Sequence, residues 1–226
     1  GGAVERFQAG ARVWAFTKFH FGGHAQYTCL PETATIGHAP SNLSYEEAAA
    51  IPYGGLLALH YLRRGGIREG QRALIYGASG AVGTSAVQIA KHFGAEVTAV
   101  CGPTNLDLAR RLGADAVIDY TSEHAPPEGA LYDLVFDAVG KRKTSLLRSA
   151  GVKAIAPGGT YVSVDDGTPP LPACDLGMLK DLVEAGALKP VIDRTFPLEE
   201  IAQAHRYVEG EHKSGNVVIA IAHKPD

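Results

Sequence analysis

From residue 71 onward, short apolar runs alternate with stretches of helical period. The runs RALIYG, EVTAVCG, DAVIDY, YDLVFDAVG and GTYVSV are apolar at consecutive positions and rich in Val, Ile and Tyr. This pattern is typical of parallel strands buried on both faces, because crossover helices cover both sides of such a sheet. Helices are predicted to end near Phe93 and Leu112 and to begin again near Thr144. The alternation predicts an α/β fold with a Rossmann-type, doubly wound parallel sheet.

The segments on either side of this region follow other patterns. The first 40 residues predict short strands and turns, with a strand-like run after the glycines of FHFGGHAQYTCL. A helical region starts in SYEEAAAIPYGGLLALHYL, where Ser44 and Glu47 have the spacing of a capping box and Pro52 and Gly54–Gly55 interrupt the helix. The tail predicts a helix over about 175–186, an extended PVIDRTFP, a helix over about 198–209 and a final strand NVVIAI.

The stretch IYGASGAVGTSAVQIAKHFG, residues 75–94, joins the first of these strands to its helix. It meets the dinucleotide fingerprint G-x-G-x-x-G in the form A-x-G-x-x-G, from Ala78 to Gly83. A side chain at Gly80 would hold a pyrophosphate away from the backbone amides, and Gly83 lets the helix pack against the strand. A helix starting near Ala81 offers unpaired N–H groups and a partial positive charge to phosphates. We therefore expect a dinucleotide site here, with a bare packing turn as the alternative interpretation.

The end of the second strand, CGPTNLD, indicates which dinucleotide binds. An NAD site places Asp or Glu about 20 residues after the loop, where the carboxylate accepts a hydrogen bond from the ribose 2′-OH. No acid precedes Asp107 here, so nothing repels a 2′-phosphate, although no Arg or Lys at this turn clamps one. The sequence therefore favours NADP(H) as the cofactor, with NAD(H) as the second choice.

Composition excludes several other classes of protein. A net charge of −3 over 226 residues and a pI near 6.3 argue against a nucleic-acid or anionic-membrane binder. No apolar run approaches the roughly 20 residues of a transmembrane helix. The 3 cysteines are widely spaced and indicate neither a disulfide framework nor a zinc motif, which predicts a cytoplasmic location. The chain opens without Met, and we expect further residues to precede it.

Several motifs follow one another in a fixed order along nearly the whole chain: FGGHAQYTCLPE, LSYEEAAAIPYGGLLAL, REGQRALIYGASGAVGTSAVQIAKHFGAEVTAV, RRLGADAVIDYTSE, YDLVFDAVG, APGGTYVSV and PVIDRTFPLEEIAQAHRYVEGEHKSGNVVIAI. In this order they resemble the zinc-independent branch of the medium-chain dehydrogenase/reductases, the quinone oxidoreductase and zeta-crystallin-like proteins. The resemblance implies a partial GroES-like β-barrel domain made of residues 1–45 and 188–226. It also implies an NAD(P)-binding Rossmann domain over residues 46–187.

The resemblance also implies cofactor contacts at individual positions. The pyrophosphate loop is matched by Ser79, Gly80, Ala81, Val82 and Gly83. The adenosine ribose and its phosphate are matched by Thr104, Asn105 and Tyr120. The strand ends beside the nicotinamide ribose are matched by Val139, Val162, Ser163 and Val164, and a polar position that reaches the cofactor by Asn216.

The chain departs from the family pattern at three places. Leu57 stands where relatives often have a Thr that can bind the cofactor, and Pro103–Thr104 lack the basic residue often found at that turn. The stretch VSVDDGTPPLPACDLGML is short where relatives usually carry an edge strand that pairs two subunits. Homodimer formation is therefore left open.

The expected reaction is hydride transfer from a nicotinamide cofactor to a small-molecule quinone, enone or related carbonyl compound, without zinc. The cysteine ladder of the structural zinc lobe and a Gly-His-Glu ligand motif are absent from the sequence, and His20 and His24 are interpreted as solvated loop residues. Tyr53 is the candidate proton donor, with a packing role as the alternative, and Cys101 is interpreted as an apolar filler. A zinc-dependent alcohol dehydrogenase and a non-catalytic NADPH-binding sensor are the alternative functions.

Overall fold

Two short antiparallel strands lie near the start of the computed structural model, which describes residues 4–18, 22–140, 146–210 and 213–222. In this pair, β1 (Val13–Ala15) runs against β2 (Ile36–His38), with Trp14 opposite Gly37. Residues 22–35 form bends and turns, so the strand predicted in FHFGGHAQYTCL is wrong where the structure describes it. Tyr27 is 81% exposed there, so its ring is not buried against a neighbouring strand.

Two helices follow, α1 (Tyr45–Ala49) and α2 (Pro52–Arg64). The capping box is confirmed: the Glu47 N–H donates to Ser44 Oγ at 3.1 Å, and the Ser44 N–H donates to the Glu47 carboxylate at 2.8 Å. Pro52 is the first residue of α2, so the break precedes it. The predicted interruption at Gly54–Gly55 is wrong, because both lie inside α2. A Cβ at Gly54 would stand 2.2 Å from the Ala81 carbonyl oxygen, so close helix packing explains this glycine.

Strands and helices then alternate as the sequence predicts. Of the predicted helix near Thr144, the part over 141–145 lies outside the described residues. Two ranges differ from prediction. The strand predicted in GTYVSV begins earlier, at Ile155, and the helix predicted over about 175–186 spans Ala173–Glu184. In chain order the elements are β3 (Arg72–Tyr76), α3 (Ala81–His92), β4 (Glu96–Cys101), α4 (Leu106–Arg111), β5 (Ala116–Asp119), β6 (Tyr132–Asp137), α5 (Leu146–Lys153), β7 (Ile155–Ser163) and α6 (Ala173–Glu184).

The five strands from β3 to β7 form one parallel sheet in the order β5-β4-β3-β6-β7. Alternate residues of β3 enter different apolar clusters: Ala73 and Ile75 pack on the side of α2, α3 and α6, whereas Leu74 and Tyr76 pack on the side of α5. Both faces are buried, which confirms the doubly wound fold. The strand order reverses between β3 and β6, and a crevice opens there at the carboxyl ends of the strands.

The tail returns toward this crevice. It contains β8 (Ile192–Pro197), a single 3₁₀ turn over Leu198–Glu200, α7 (Ile201–Glu209) and β9 (Asn216–Ala220). Strands β8 and β9 pair in parallel, so outside the central sheet the described residues form two strand pairs rather than a closed barrel. In the described parts of the chain, no helix has the length and apolarity that a membrane span requires.

Candidate functional site

A cavity of about 630 Å³ occupies the crevice at the carboxyl ends of β3 and β6. This volume is in the range of roughly 300–1,000 Å³ that is usual for ligand pockets. The glycine-rich loop, the turn after β6 and three tyrosine rings contribute to its wall. Its lining residues are Tyr53, Tyr76, Gly77, Ser79, Gly80, Ala81, Val82, Cys101, Tyr120, Ala138, Val139, Val208 and Lys213.

A neighbouring cavity of about 520 Å³ lies over the turn after β4. Ser79, Tyr120 and Lys213 line both cavities, so the two are adjoining compartments of one site. The remaining lining residues of this second cavity are Gly102, Pro103, Thr104, Asn105 and Ser214. We call the first compartment the loop cavity and the second the turn cavity.

The glycines of the loop serve different purposes. Gly77 has φ +81° and a Cβ there would lie 2.4 Å from Val139 Cγ2, while a Cβ at Gly83 would lie 2.0 Å from the Gly77 carbonyl oxygen. The fold therefore requires glycine at these two positions, and the packing role predicted for Gly83 is confirmed. Gly80 has φ −80°, and a Cβ there would meet nothing closer than the Gly77 carbonyl oxygen at 3.6 Å. The described structure thus has room for a side chain at Gly80, which lines the loop cavity.

Helix α3 points its N-terminus into the loop cavity. Gly80 is its N-cap and supplies no side chain to cap the first turn. The Gly80 N–H donates to the Gly77 carbonyl at 3.1 Å, whereas no residue described in the structure accepts from the N–H groups of Ala81, Val82 and Gly83. Such a helix end carries about +0.5 of an elementary charge. These donors and this charge suit an anionic group such as a pyrophosphate.

The turn cavity contains the residues matched to the adenosine ribose. Thr104 and Asn105 belong to a 3₁₀ turn over Pro103–Asn105, and the Tyr120 ring stands beside Gly102, where a Cβ would lie 3.6 Å from Tyr120 Cε1. The nearby Asp119 carboxylate accepts hydrogen bonds from Thr121 and does not line either cavity. No carboxylate lines either compartment in the described part of the chain.

A buried carboxylate holds the turn that carries Val139. Asp137 ends β6 with no exposed surface, and its Oδ1 accepts from the N–H groups of Val139 and Gly140 at 3.0 Å each. Its Oδ2 accepts from the Tyr161 hydroxyl at 2.8 Å and lies 2.7 Å from Arg148 Nε. Sequence reasoning assigned no role to Asp137. The motif FDAVG was the available signal, because a carboxylate two residues before a turn can bind the turn amides.

The charges of this cluster follow from its contacts. The hydrogen bond with Tyr161 and the charge of Asp137 raise the pKa of Arg148. Burial raises the pKa of Tyr161, so its hydroxyl stays protonated and donates to Asp137 at neutral pH. An ion pair and a neutral phenol therefore fix the backbone of the Val139 turn at the wall of the loop cavity.

Other predicted cofactor contacts lie outside the two linings, and their roles stay predictions. Ser163 is fully buried and its N–H donates to Asp166 Oδ2 at 2.9 Å. The carboxamide of Asn216 donates to the Val191 carbonyl at 3.2 Å. The predicted positions outside the linings are Gly83, Val162, Ser163, Val164 and Asn216.

Two residues considered for chemistry line the loop cavity. Tyr53 is 51% exposed, its ring centroid lies 5.9 Å from that of Phe16, and its role as a proton donor stays a prediction. Cys101 is buried, and burial raises the pKa of its thiol to about 11, so it is protonated at neutral pH. His24 lies beside His205, and no group of three or more metal-ligating side chains occurs among the described residues, while His20 lies outside them.

In the tail, the sequence reasoning predicted a cofactor contact only at Asn216 and missed the segment just before it, which reaches the site. The Gly215 N–H donates to the Ser79 carbonyl at 2.7 Å, and the Ser214 hydroxyl donates to Asn105 Oδ1 at 2.5 Å. We call residues 213–215 the tail strap. The strap brings Lys213 to the wall of both cavities. The only available signal was a basic residue shortly before the glycine of GEHKSGNVV, far along the chain from the loop.

Two family models match the chain, both described as zinc-binding dehydrogenase, over residues 81–181 and 171–219. The chain is 34% identical to the NADPH-dependent alkenal/one oxidoreductase, chloroplastic, of Arabidopsis thaliana, with 97% of this chain and 60% of that protein covered. It is 32% identical to the quinone-oxidoreductase homolog, chloroplastic, of Spinacia oleracea, with 97% of this chain and 75% of that protein covered.

The solved quinone oxidoreductase of Coxiella burnetii superposes with a TM-score of 0.87 at 26% identity, covering 98% of this chain and 75% of that one. The fold and the glycine loop thus define a protein of the doubly wound, Rossmann-type α/β class. The chain belongs to the medium-chain dehydrogenase/reductase family, among its quinone oxidoreductase-like members. It spans 53–66% of the length of several curated relatives that it matches.

Proposed function

We propose that the protein is a nicotinamide-dependent oxidoreductase that transfers hydride to a small quinone, enone or related carbonyl compound. The proposal rests on two features that occur together. Gly80 has no side chain over the loop, and the N–H groups at the start of α3 have no acceptor among the described residues. The names of two relatives, an alkenal/one oxidoreductase and a quinone-oxidoreductase homolog, support the substrate class.

Each part of the site has a separate task in this proposal. When bound, the nicotinamide nucleotide supplies the hydride. The amides of Ala81 and Val82 hold the pyrophosphate, Tyr120 and Asn105 hold the adenosine ribose, and Val139 supplies an apolar wall that keeps water away. Tyr53, on the wall of the same cavity, delivers the proton. The protein thereby binds, orients and excludes water, while the cofactor supplies the chemistry.

We further propose NADP(H) as the preferred cofactor over NAD(H). The support is the absence of a carboxylate from the described lining of the turn cavity, since such a carboxylate would accept from a ribose 2′-OH and repel a 2′-phosphate. Three interpretations stay predictions of the sequence. They are the division into a domain of residues 1–45 and 188–226 and a domain of residues 46–187, the cytoplasmic location, and a possible homodimer.

The reaction is proposed to proceed without zinc, and a zinc-dependent alcohol dehydrogenase is the alternative. The family models carry zinc-binding dehydrogenase as their description, so metal content has to be measured on the full-length protein. Metal analysis after purification without chelators should give substoichiometric zinc, and an equimolar zinc content lost together with activity would support the alternative.

The proposed function is tested by titrating the full-length protein with NADPH and NADH, followed by NADPH oxidation with a panel of small quinones and enones. Micromolar NADPH binding with turnover of at least one panel member supports the proposal. Binding without turnover of any member supports a non-catalytic sensor. Failure of both nucleotides to bind contradicts the dinucleotide site itself.

A further inference from the structure

We propose that Lys213 binds the 2′-phosphate of NADP(H), in place of the basic residue that the turn after β4 lacks. This inference rests on the proposed function, and it names the group on which cofactor preference depends. Pro103 and Thr104 carry no charge, so a 2′-phosphate over this turn needs its cation from elsewhere in the fold. The tail strap supplies one.

Lys213 is placed to serve the turn cavity. It lines both compartments, and among the described residues no other charged side chain lines either of them. The hydroxyl and amide groups of Thr104, Asn105 and Ser214 line the turn cavity beside it. A compartment with polar neutral groups and a single ammonium has the chemistry of a phosphate site, because a cationic donor and several neutral hydrogen-bonding groups converge on one anion.

The hydrogen bonds of Lys213 leave donors available. Its Nζ donates to the Gly215 carbonyl at 2.6 Å, and an ammonium group has three N–H donors. No carboxylate forms a salt bridge with Lys213 among the residues that the structure describes. Partial burial lowers its pKa, while the charge of Asp193 acts in the opposite direction. A phosphate dianion would favour the charged ammonium further.

The strap also holds Lys213 in position before any ligand arrives. Gly215 is bonded to Ser79, and Gly80 and Gly215 form a parallel bridge, so one end of the strap is attached to the glycine loop. The hydroxyl of Ser214 is attached to Asn105 in the turn after β4. A cation held by two such attachments loses little further freedom when it binds an anion.

The pyrophosphate is the competing target, because Lys213 also lines the loop cavity. That cavity already offers the free amides of α3 to a pyrophosphate, whereas the turn cavity has no helix N-terminus of that length and no other cation among the described residues. We therefore assign Lys213 to the 2′-phosphate. The two targets differ in a measurable way, since both NADPH and NADH contain the pyrophosphate and only NADPH carries the 2′-phosphate.

The test uses the full-length protein and the variants Lys213→Gln and Lys213→Arg, with Lys189→Gln as the control that removes one charge outside both linings. Calorimetric titrations with 2′,5′-ADP and with 5′-ADP probe the phosphate without the nicotinamide, and titrations with NADPH and NADH follow. Circular dichroism checks that each variant is folded.

We expect Lys213→Gln to weaken 2′,5′-ADP and NADPH by about tenfold or more, the usual effect of a lost charge-assisted hydrogen bond. The affinities of 5′-ADP and NADH should stay within about twofold, Lys213→Arg should retain most 2′,5′-ADP binding, and Lys189→Gln should change nothing. An equal loss of affinity for NADPH and NADH would assign Lys213 to the pyrophosphate and overturn the inference. Unchanged 2′,5′-ADP binding would overturn it too, while NADPH binding by the unmodified protein would leave the proposed function intact.

Discussion

The backbone N–H of Gly215 donates to the carbonyl oxygen of Ser79 at 2.7 Å, which ties the returning tail to the glycine-rich loop. The adjacent bridge between Gly80 and Gly215 extends this contact. The loop and the strap are therefore in direct backbone contact, although they are far apart in the sequence. The site depends on the tail as well as on the strand–loop–helix unit that the sequence predicts.

Replacing Gly215 by alanine should disturb this attachment. Gly215 has φ +69°, and a Cβ there would lie 2.4 Å from the Val191 carbonyl oxygen. We expect Gly215→Ala to lower the free energy of unfolding by about 1–3 kcal/mol and to weaken NADPH binding. Chemical denaturation and nucleotide titration measure both effects.

Gly177→Ala is the matched control for this variant. Gly177 lies in α6 with no atom within 4 Å of an added Cβ, so alanine there should leave stability unchanged or raise it. If Gly215→Ala were as stable as the unmodified protein and bound NADPH equally well, the strap would have no part in shaping the site.

Replacing Asp137 by asparagine should release the turn that carries Val139. The amide group of asparagine would set an N–H donor against the donors of Val139, Gly140 or Arg148, and the Arg148 guanidinium would lose its ion-pair partner. Breaking a buried pair by removing one charge costs about 3–5 kcal/mol. We expect a loss of that order in chemical denaturation, together with weaker binding of both NADPH and NADH.

The exposed pair of Asp107 and Arg110 provides the comparison. Its side chains are 82% and 55% exposed, and such pairs contribute about 0–1 kcal/mol, so Asp107→Asn should change the free energy of unfolding by no more than that. If Asp137→Asn and Asp107→Asn lowered the free energy of unfolding by the same amount, the buried cluster would not hold the turn.

The thiol of Cys101 should be inert while the protein is folded. Its pKa is raised from 9.0 to about 11 by burial, and the thiolate is the reactive form. We expect iodoacetamide at pH 8 to label the exposed Cys29 and Cys174 and to leave Cys101 unlabelled, as measured by mass spectrometry. Rapid labelling of Cys101 in the folded protein would contradict its description as a neutral part of the cavity wall.

The same shift has a consequence for stability. The folded state holds the thiol proton more tightly than the unfolded state does. The stabilising contribution of Cys101 to the free energy of unfolding is therefore complete below pH 9 and is lost as the pH rises toward 11. Unfolding measured across this range should therefore show a decrease that Cys101→Ala removes. A Cys101→Ala variant with the same decrease would assign the pH dependence to other groups.

The sequence predicted the parts of the fold that depend on local pattern. The strand RALIY, the glycine loop and α3 were correct because an apolar run, closely spaced glycines and a 3.6-residue period occur within one short stretch. The strand expected in FHFGGHAQYTCL was wrong, because a strand also needs a partner to bury its apolar side chains, as the exposed Tyr27 illustrates.

Long-range contacts account for what the sequence could not supply. Gly54 lies inside α2 and lacks a side chain because α2 passes within contact of the Ala81 backbone, and nothing in the local sequence indicates that neighbour. Lys213 was missed for the same reason, since only the return of the tail brings it to the turn after β4. The contact of Asp137 with the Tyr161 hydroxyl likewise depends on how β6 and β7 pair.

The central claim is that an uncovered backbone at Gly80 admits a pyrophosphate to the amides of α3. The most direct measurement is NADPH titration of a Gly80→Val variant of the full-length protein, alongside its thermal unfolding. A Cβ at Gly80 meets no atom closer than 3.6 Å and its backbone is extended with φ −80°, so the variant should fold with a nearly unchanged Tm. We expect NADPH affinity to fall by more than about tenfold, because several hydrogen bonds to charged oxygens are lost. A folded Gly80→Val protein that binds NADPH as tightly as the unmodified protein would contradict the account.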